Sequence, residues 1–582
     1  MVVVKSFPPK KSVLNLKLIV ALGSIFLVGL VSGKGEDYYT SLVGLGQLAV
    51  HEQVILESVL DNKTALLKRL GLIERYLQEY ESSLVSPQME KNYPQLHKSI
   101  RKSRARHWDK KRVPTFQEHA ELTDLQRYTV SNPIAAFRII RRIGKQLVEL
   151  LMDFETEIET DFVTLMDDMF DKIRIPNSED VDGAVDGILR IQSTYGISID
   201  QFVSGNFGVP GVGLTSAFDQ HYVGVKALAM GFYAVGLQWL DTARKTLLQN
   251  YDPADETSLT LNMAEEVLLT TVPKHNEGMT SKEDAMNKYA YFSHPLSPNV
   301  STLIVPSHNL YYVPDNLVVG RETESFMDAW NYQAICGGKN LLPLEIRRQL
   351  FCYYKSDTPL TFLSPVGVEV HSIKPKILQF YDIVRNTTIH HILTRNAATL
   401  SRGRVLGSRD DRDVKSDVRT SQVTWLYDEP TDEKVKRIPA IIGDLTGLNA
   451  QAGSNAEELQ LSSYGAIGGH YQQHFDLLFN EAHLPFIPEK ELIRGDRIAT
   501  VMFYFSNVTM GGGTAFPRVG VATPAVRGSA AFWYNLKRNG QPDPLSLHGG
   551  CPVGQGIKWV ANKWIRSGGQ MFNRPCSLDP SE

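Results

Sequence analysis

The sequence predicts an α+β chain of several domains, with helices in its first half and a β-rich unit in its last third. Three observations carry this. At 582 residues the chain far exceeds the length, roughly 250–300 residues, at which a single hydrophobic core stops growing. Leu45, Ala49, Leu56, Val59, Leu66, Leu70, Ile73 and Leu77 recur in alternating steps that place them on one helix face, interrupted by Glu52 and Lys63. Toward the other end, short apolar runs such as Val501 to Phe505 and Ala530 to Tyr534 are separated by Gly and Pro, the pattern of a β-sandwich or barrel. With 42% hydrophobic and 21% charged residues the chain is globular, and a net charge of -3 gives no overall basis for binding nucleic acid.

Residues 1–33 read as a signal peptide. Lys5, Lys10, Lys11 and Lys17 precede an apolar run from Leu18 to Ser32, and Val31-Ser32-Gly33 offers small residues for cleavage. An uncleaved anchor is the alternative, because the run is near the lower length for a membrane span. Either way the chain enters the secretory pathway. Residues 34–175 read as helical, and their apolar stripe suits burial inside a bundle or pairing with a second copy. Within them, Arg101-Lys102-Ser103-Arg104-Ala105-Arg106 reads as a solvated linker.

A second helical block covers residues 176–275. There Asp180-Val181-Asp182-Gly183-Ala184 leads a helix toward Thr194-Tyr195-Gly196, and Tyr222 to Leu247 forms a helix pair carrying Tyr222, Tyr233 and Trp239. Residues 276–335 read as an irregular linker, since His294-Pro295, Ser297-Pro298 and Val313-Pro314 break any helix. The β-rich unit spans residues 336–582. Sequons at Asn62, Asn299, Asn386 and Asn507 are glycosylation candidates wherever exposed, the last lying in a strand-like run. Cys336, Cys352, Cys551 and Cys576 permit three pairings, and an oxidising compartment favours disulfides over buried thiols.

The chemistry concentrates near the end of the chain. In an extended strand His474 and Asp476 of His474-Phe475-Asp476 point to the same side and can grip one face of a metal. His548, from a distant strand, completes two imidazoles and one carboxylate, the facial ligand set of a non-haem Fe(II) oxygenase with positions open for a cosubstrate and O2. Lys558 then offers a cation for the far carboxylate of a chelating dicarboxylate such as 2-oxoglutarate. Around these lie Tyr464-Gly465-Ala466-Ile467-Gly468-Gly469, Gly511-Gly512-Gly513-Thr514-Ala515-Phe516-Pro517 and Lys558-Trp559-Val560-Ala561-Asn562-Lys563-Trp564.

With these blocks, and with Asp444-Leu445-Thr446-Gly447-Leu448, Ala456-Glu457-Glu458-Leu459-Gln460, Arg497-Ile498-Ala499-Thr500 and Phe532-Trp533-Tyr534-Asn535-Leu536, the sequence resembles the collagen prolyl 4-hydroxylase α subunits. The resemblance implies a double-stranded β-helix (jelly roll) for the catalytic region, a helical dimerisation domain at 34–175 and a tetratricopeptide-like peptide-substrate-binding domain at 176–275. It places His474, Asp476 and His548 on the iron ligands and Lys558 on the 2-oxoglutarate-binding lysine, with Tyr464 and Trp564 in the cosubstrate pocket. Tyr195, Tyr233, Arg497 and Tyr471 fall on peptide-binding positions, and the cysteines are expected to pair as Cys336 with Cys352 and Cys551 with Cys576. Aromatic faces suit a polyproline II ligand, whose preformed helix loses little entropy on docking.

The implied reaction is hydroxylation of peptidyl proline at C4 in X-Pro-Gly repeats, with Fe(II), 2-oxoglutarate, O2 and L-ascorbate, in the endoplasmic reticulum lumen. Protein disulfide isomerase is the implied β subunit of an α2β2 assembly, which would supply the retrieval signal that Asp579-Pro580-Ser581-Glu582 lacks. The chain departs from the family in an added residue at Ala466-Ile467, in Gln473 in place of a proline and in Arg566 in place of a histidine. A residue inserted in a strand would flip its side chains, so a bulge or loop must absorb it. Two other readings stay open: the same chemistry on a non-collagen secreted substrate, and a non-catalytic subunit that holds proline-rich chains.

Overall fold

The computed structural model describes residues 41–62, 76, 79–80, 129–148, 174–249, 259–278, 319–320, 325–405, 414–415, 419–427, 432–465, 467–479 and 487–579. The leader at 1–33, the basic cluster at 101–106, Asn299 and the helix-breaking prolines between 294 and 314 lie outside them. Among the described residues no helix is long and apolar enough to cross a membrane.

The first helix, Leu42–Asn62, carries the early part of the apolar stripe. Leu45, Ala49 and Leu56 are buried within this one chain. Glu52, which interrupts the stripe, is answered by Arg142, whose Nε and Nη2 donate to its carboxylate at 2.5 and 3.0 Å. Asn132 caps the helix Pro133–Arg141 by accepting from the amides of Ile134 and Ala135, and Pro133 occupies the first turn, where its missing N–H costs nothing. Arg138 and Arg141 of this helix reach Asp219 on the helix Ala217–Ala229. Three helices are thus held together by buried, mutually neutralising charges.

Helix Ser178–Tyr195 matches its expected position, opening on an Asn177–Asp180 capping box and closing on Gly196 with φ 62°. The expected pair follows as Ala217–Ala229 and Tyr233–Gln249. Their aromatics serve the interior: Trp239 is fully buried and donates to Gln192 Oε1 at 2.9 Å, and Tyr222 donates to Asp182 at 2.9 Å. The supposed linker is partly helical. Leu261–Gly278 runs into it, and Ser325–Cys336 crosses its end and packs on the β-rich unit. Asn331 donates to Pro517 O at 2.9 Å, Tyr332 to Gly550 O at 2.7 Å, and Asp328 pairs with Arg518 at 3.0 Å. Prolines outside this helix say nothing against it, because packing on the sheet stabilises it.

The β-rich unit is built on a nine-stranded antiparallel sheet facing a four-stranded one. The large sheet has at its centre Ala530–Tyr534, Arg497–Tyr504, Lys558–Arg566 and Leu459–Tyr464. The small sheet orders Val521–Thr523, Thr514–Phe516, His548–Gly550 and Tyr471–His474. Asn386 opens a short helix and Asn507 sits in a turn before Val508–Gly511. Both are exposed, and both accept from Arg527, at 2.8 Å each. Asn62 ends its helix.

The helical region docks on this unit through Ser178–Tyr195. Arg190 donates to Gly468 O at 2.9 Å, the Tyr195 hydroxyl donates to Pro552 O, and Gln333 donates to Ser193 O at 2.7 Å. At Gly187 any side chain would collide with the Ile467 carbonyl, so the helix backbone lies directly on that loop.

The cysteine pairing differs from the expectation. Cys336 is bonded to Cys551, and Cys352 and Cys576 are free and exposed. Cys336 ends the helix that packs over the small sheet, and Cys551 follows the strand His548–Gly550. The two are brought together by tertiary packing alone, across a separation of 215 residues. Non-reducing peptide mapping is expected to recover a Cys336–Cys551 cross-linked peptide, with Cys352 and Cys576 alkylated without reduction. Recovery of Cys336–Cys352 and Cys551–Cys576 peptides would contradict the pairing.

Candidate metal and cosubstrate site

His474 closes the strand Tyr471–His474, and His548 opens the antiparallel strand beside it. The register sets these two residues directly opposite each other, so their side chains share a face. Their ring centroids lie 4.5 Å apart. Asp476 returns its carboxylate between them, Oδ1 at 3.6 Å from His474 Nε2 and Oδ2 at 3.5 Å from His548 Nε2. One ligand atom from each of the three falls within 4.8 Å of the others.

Each imidazole is oriented by its other nitrogen. His474 Nδ1 donates to Gln472 O at 2.8 Å and His548 Nδ1 to Ser546 O at 2.9 Å, which turns both Nε2 lone pairs toward the shared centre. Burial and the neighbouring His548 push His474 below its ordinary value, favouring the neutral ring. Burial would raise Asp476, but His548 and His474 outweigh it and hold the carboxyl well below the usual range. An ionised carboxylate and a neutral imidazole are the forms that bind a metal.

The added residue leaves this geometry intact. It falls in the connection between Leu459–Tyr464 and Tyr471–His474, where Gly468 adopts φ 64° and Ile467 is buried beside Gly187. A loop rather than a strand takes up the extra length. His470, which ends the loop, is pinned to Thr420: its amide donates to Thr420 Oγ1 at 2.8 Å and its carbonyl accepts from Thr420 N at 3.0 Å. Gln473, in the place of the family's proline, donates to Asp328 O at 3.3 Å.

Lys558 lies behind the triad. It is 1% exposed, and its cross-strand partner is Tyr464, whose ring centroid is 4.8 Å from Nζ. Nζ donates to Gly513 O at 3.4 Å, and among the described residues no carboxylate pairs with it. Burial pushes its pKa down to about 7. Trp533 packs 4.6 Å and Phe516 5.8 Å from the His548 ring, walling the site from water. The buried indole nitrogens of Trp533 and Trp564 have no hydrogen-bond partner among the described residues.

Toward the mouth, Tyr471 stacks on His474 at 3.7 Å. Arg497 lies 3.9 Å over Trp564 and forms a two-pronged pair with Glu457, 2.7 Å on each prong. Arg566 does not enter the pocket as a free cation, because Glu457 at 3.3 Å and Glu491 at 2.9 Å neutralise it. Tyr471 thus touches the triad directly, Tyr464 neighbours Lys558, and Arg497 and Trp564 pack on each other.

Tyr195 does not join them as a groove residue. Its hydroxyl is committed to Pro552 O, and side chains at Gly511 or Gly554 would press on its ring, so it wedges the helical region against the β-rich unit. Tyr233 is half-buried at the start of its helix, away from the triad in sequence and sheet order. Leu228 and Ala234 fill helix-packing positions.

Sequence reasoning missed Arg419. Among the described residues its buried guanidinium donates to neutral groups, Ser421 at 3.0 Å, Gln460 at 2.8 Å and Ser462 at 3.3 Å, and lies 4.9 Å over Tyr471. A lone arginine in a polar stretch gives no spacing signal by which to find it.

The donor set fits Fe(II): two imidazole nitrogens and one carboxylate on one face leave the opposite face open. The pocket also fits an α-keto dicarboxylate, since a buried lysine bound only to a carbonyl has room to pair with an anion.

The N-terminal region of the prolyl 4-hydroxylase α subunit matches residues 41–208, and the 2OG-Fe(II) oxygenase superfamily matches residues 459–566. The chain is 30% identical over 492 residues to prolyl 4-hydroxylase subunit alpha-2 of Caenorhabditis elegans, covering 79% of this chain and 88% of that one. It is 31% identical over 485 residues to subunit alpha-1 of Rattus norvegicus, covering 78% and 86%. To subunit alpha-3 of Homo sapiens it is 30% identical over 523 residues, covering 80% and 90%. With this breadth of similarity and the triad in place, the chain belongs to the prolyl 4-hydroxylase α-subunit family, and its C-terminal unit is a 2-oxoglutarate–Fe(II) oxygenase.

Proposed function

We propose that this chain is the catalytic α subunit of a procollagen-proline 4-dioxygenase. The observation that carries the proposal is the convergence of His474, Asp476 and His548 on one centre, with buried Lys558 close against Gly550 of the strand that carries His548. His474, Asp476 and His548 hold the metal by one face. Lys558 binds the far carboxylate of the cosubstrate, and Tyr464 and Trp564 line its pocket. Bound there, Fe(II) with 2-oxoglutarate and O2 supplies the oxidising chemistry, and the cosubstrate leaves as succinate and CO2.

Trp533 and Phe516 exclude water from the reacting atoms, while Tyr471 and Arg497 border the mouth through which a peptidyl proline presents C4. Two facing antiparallel sheets around the pocket support the double-stranded β-helix reading. L-Ascorbate restores iron oxidised in turnovers without peptide. The domain boundaries, self-association of two α subunits, protein disulfide isomerase as the β subunit, and residence in the endoplasmic reticulum lumen rest on the family resemblance, and the disulfide is consistent with an oxidising compartment.

The test is coexpression with protein disulfide isomerase, followed by mass spectrometry of a Pro-Pro-Gly repeat peptide incubated with Fe(II), 2-oxoglutarate and ascorbate. The expected outcome is a gain of one oxygen per modified proline. Succinate without peptide oxidation would point to another secreted substrate, a reading favoured by the use of Tyr195 as a wedge. Neither product from a folded, iron-loaded chain would favour the non-catalytic binding subunit.

A further inference from the structure

Asp476 has two oxygens, and the protein treats them differently. Thr500 Oγ1 donates to Oδ2 at 2.8 Å, whereas Oδ1 faces His474 Nε2 at 3.6 Å. Thr500 lies at the middle of the strand Arg497–Tyr504, opposite Trp533 on one neighbouring strand and Trp564 on the other. Asn535, one residue past Ala530–Tyr534, places its side-chain amide 2.9 Å from the same hydroxyl. Thr500, Asn535 and Asp476 are all buried.

The direction of this chain of bonds follows from counting protons. A hydroxyl has one proton, an ionised carboxylate only accepts, and an amide nitrogen only donates. Thr500 therefore gives its proton to Asp476 and receives one from Asn535 Nδ2. The reverse setting of the Asn535 amide would present a carbonyl to the hydroxyl, and Asp476 or Asn535 would then lose its bond.

We propose that Thr500, set by Asn535, is a positioning residue of the metal site: it occupies Asp476 Oδ2 so that Oδ1 alone serves as ligand. The inference rests on the oxygenase reading for the identity of the metal, but the geometry concerns this chain's own side chains. A carboxylate with both oxygens free can swing to grip a metal through both, taking a position that the cosubstrate needs. A hydrogen bond to one oxygen removes that option and raises the order of the ligand before the metal arrives. Thr500 is not among the three side chains that would hold the metal, so its effect passes through Asp476.

The test uses the full chain coexpressed with protein disulfide isomerase, stripped of metal and titrated with Co(II), whose visible spectrum reports coordination number. Thr500→Val keeps the shape and removes the hydroxyl. It is expected to weaken Co(II) binding about 10–100-fold, the usual cost of losing a ligand's hydrogen-bond partner, and to shift the spectrum toward higher protein coordination. Thr500→Ser is expected to restore both to within about threefold, as it keeps the donor. Asn535→Leu is expected to weaken binding in the same direction, with little further loss when combined with Thr500→Val.

Wild-type affinity and spectrum in a folded Thr500→Val variant would overturn the proposal. So would a Thr500→Ser variant as weak as Thr500→Val, since packing rather than the hydroxyl would then be responsible. A wild type that binds Co(II), shows these shifts and hydroxylates no peptide would support the positioning role while removing the collagen reading. A wild type that binds no metal would overturn both.

Discussion

Replacing His548 with alanine is expected to empty the site of iron and to lower peptide hydroxylation by more than about 100-fold, beyond the 10–100-fold cost of disturbing only a ligand's hydrogen-bonding neighbours. His548 supplies one of three donors, its Nε2 3.5 Å from Asp476 Oδ2. Without it, two donors remain on one side of the metal. The fold should survive, because the strand His548–Gly550 keeps its backbone pairing and its neighbour Cys551 stays bonded to Cys336. Iron content per chain and far-ultraviolet circular dichroism, measured on the same preparation, check both parts. A folded variant that retains stoichiometric iron would remove His548 from the ligand set.

Lys558→Ala is expected to raise the KM for 2-oxoglutarate by roughly 100-fold, in line with the ~2–5 kcal/mol that removal of one member of a buried charge pair costs. The wild type should also carry a pH signature. Before cosubstrate binds, burial holds Lys558 at a pKa of about 7, so it loses its proton as the pH rises through that value. Only the ammonium pairs with a carboxylate. Below about pH 7 the KM should be flat; above it, binding must take up a proton and the KM should climb by up to about tenfold per pH unit. Kinetics from about pH 6 to about pH 9 check this, with Lys558→Ala expected to lose the rise. A wild-type KM that stays level across that interval would show that Lys558 does not carry the charge that holds the cosubstrate.

The catalytic residues were unusually legible. His474 and Asp476 sit two apart, a spacing that suggests one face, although the strand ends at His474 and the residues after it bring Asp476 back to the centre. Lys558 reads as the cation for the far carboxylate of a dicarboxylate, and it is buried at 1% exposure. The helix from Asp180 toward Tyr195 was legible in the sequence, and the structure starts it two residues earlier, at Ser178 behind the Asn177 cap. Other features were left undecided by the sequence for one shared cause. The apolar positions Leu45, Ala49 and Leu56 look the same whether the covering surface comes from this chain or from a second copy, and here Pro133–Arg141 and its neighbours cover that face. Tyr195 looks like a ligand-facing aromatic until the loop carrying Pro552 is laid over it.

By itself the sequence determined which side chains could ligate a metal, which cation could answer a dicarboxylate, and where helices give way to strands. These depend on residue chemistry and on backbone periodicity over a few positions. Only the tertiary structure decided that Cys336 meets Cys551, that a loop absorbs the added residue, that Arg566 is neutralised by Glu457 and Glu491, and that Thr500 reaches Asp476. The physical reason is the same in each case: local periodicity sets the direction in which a side chain leaves its own strand, but what it meets depends on which distant strand the closing sheets bring alongside.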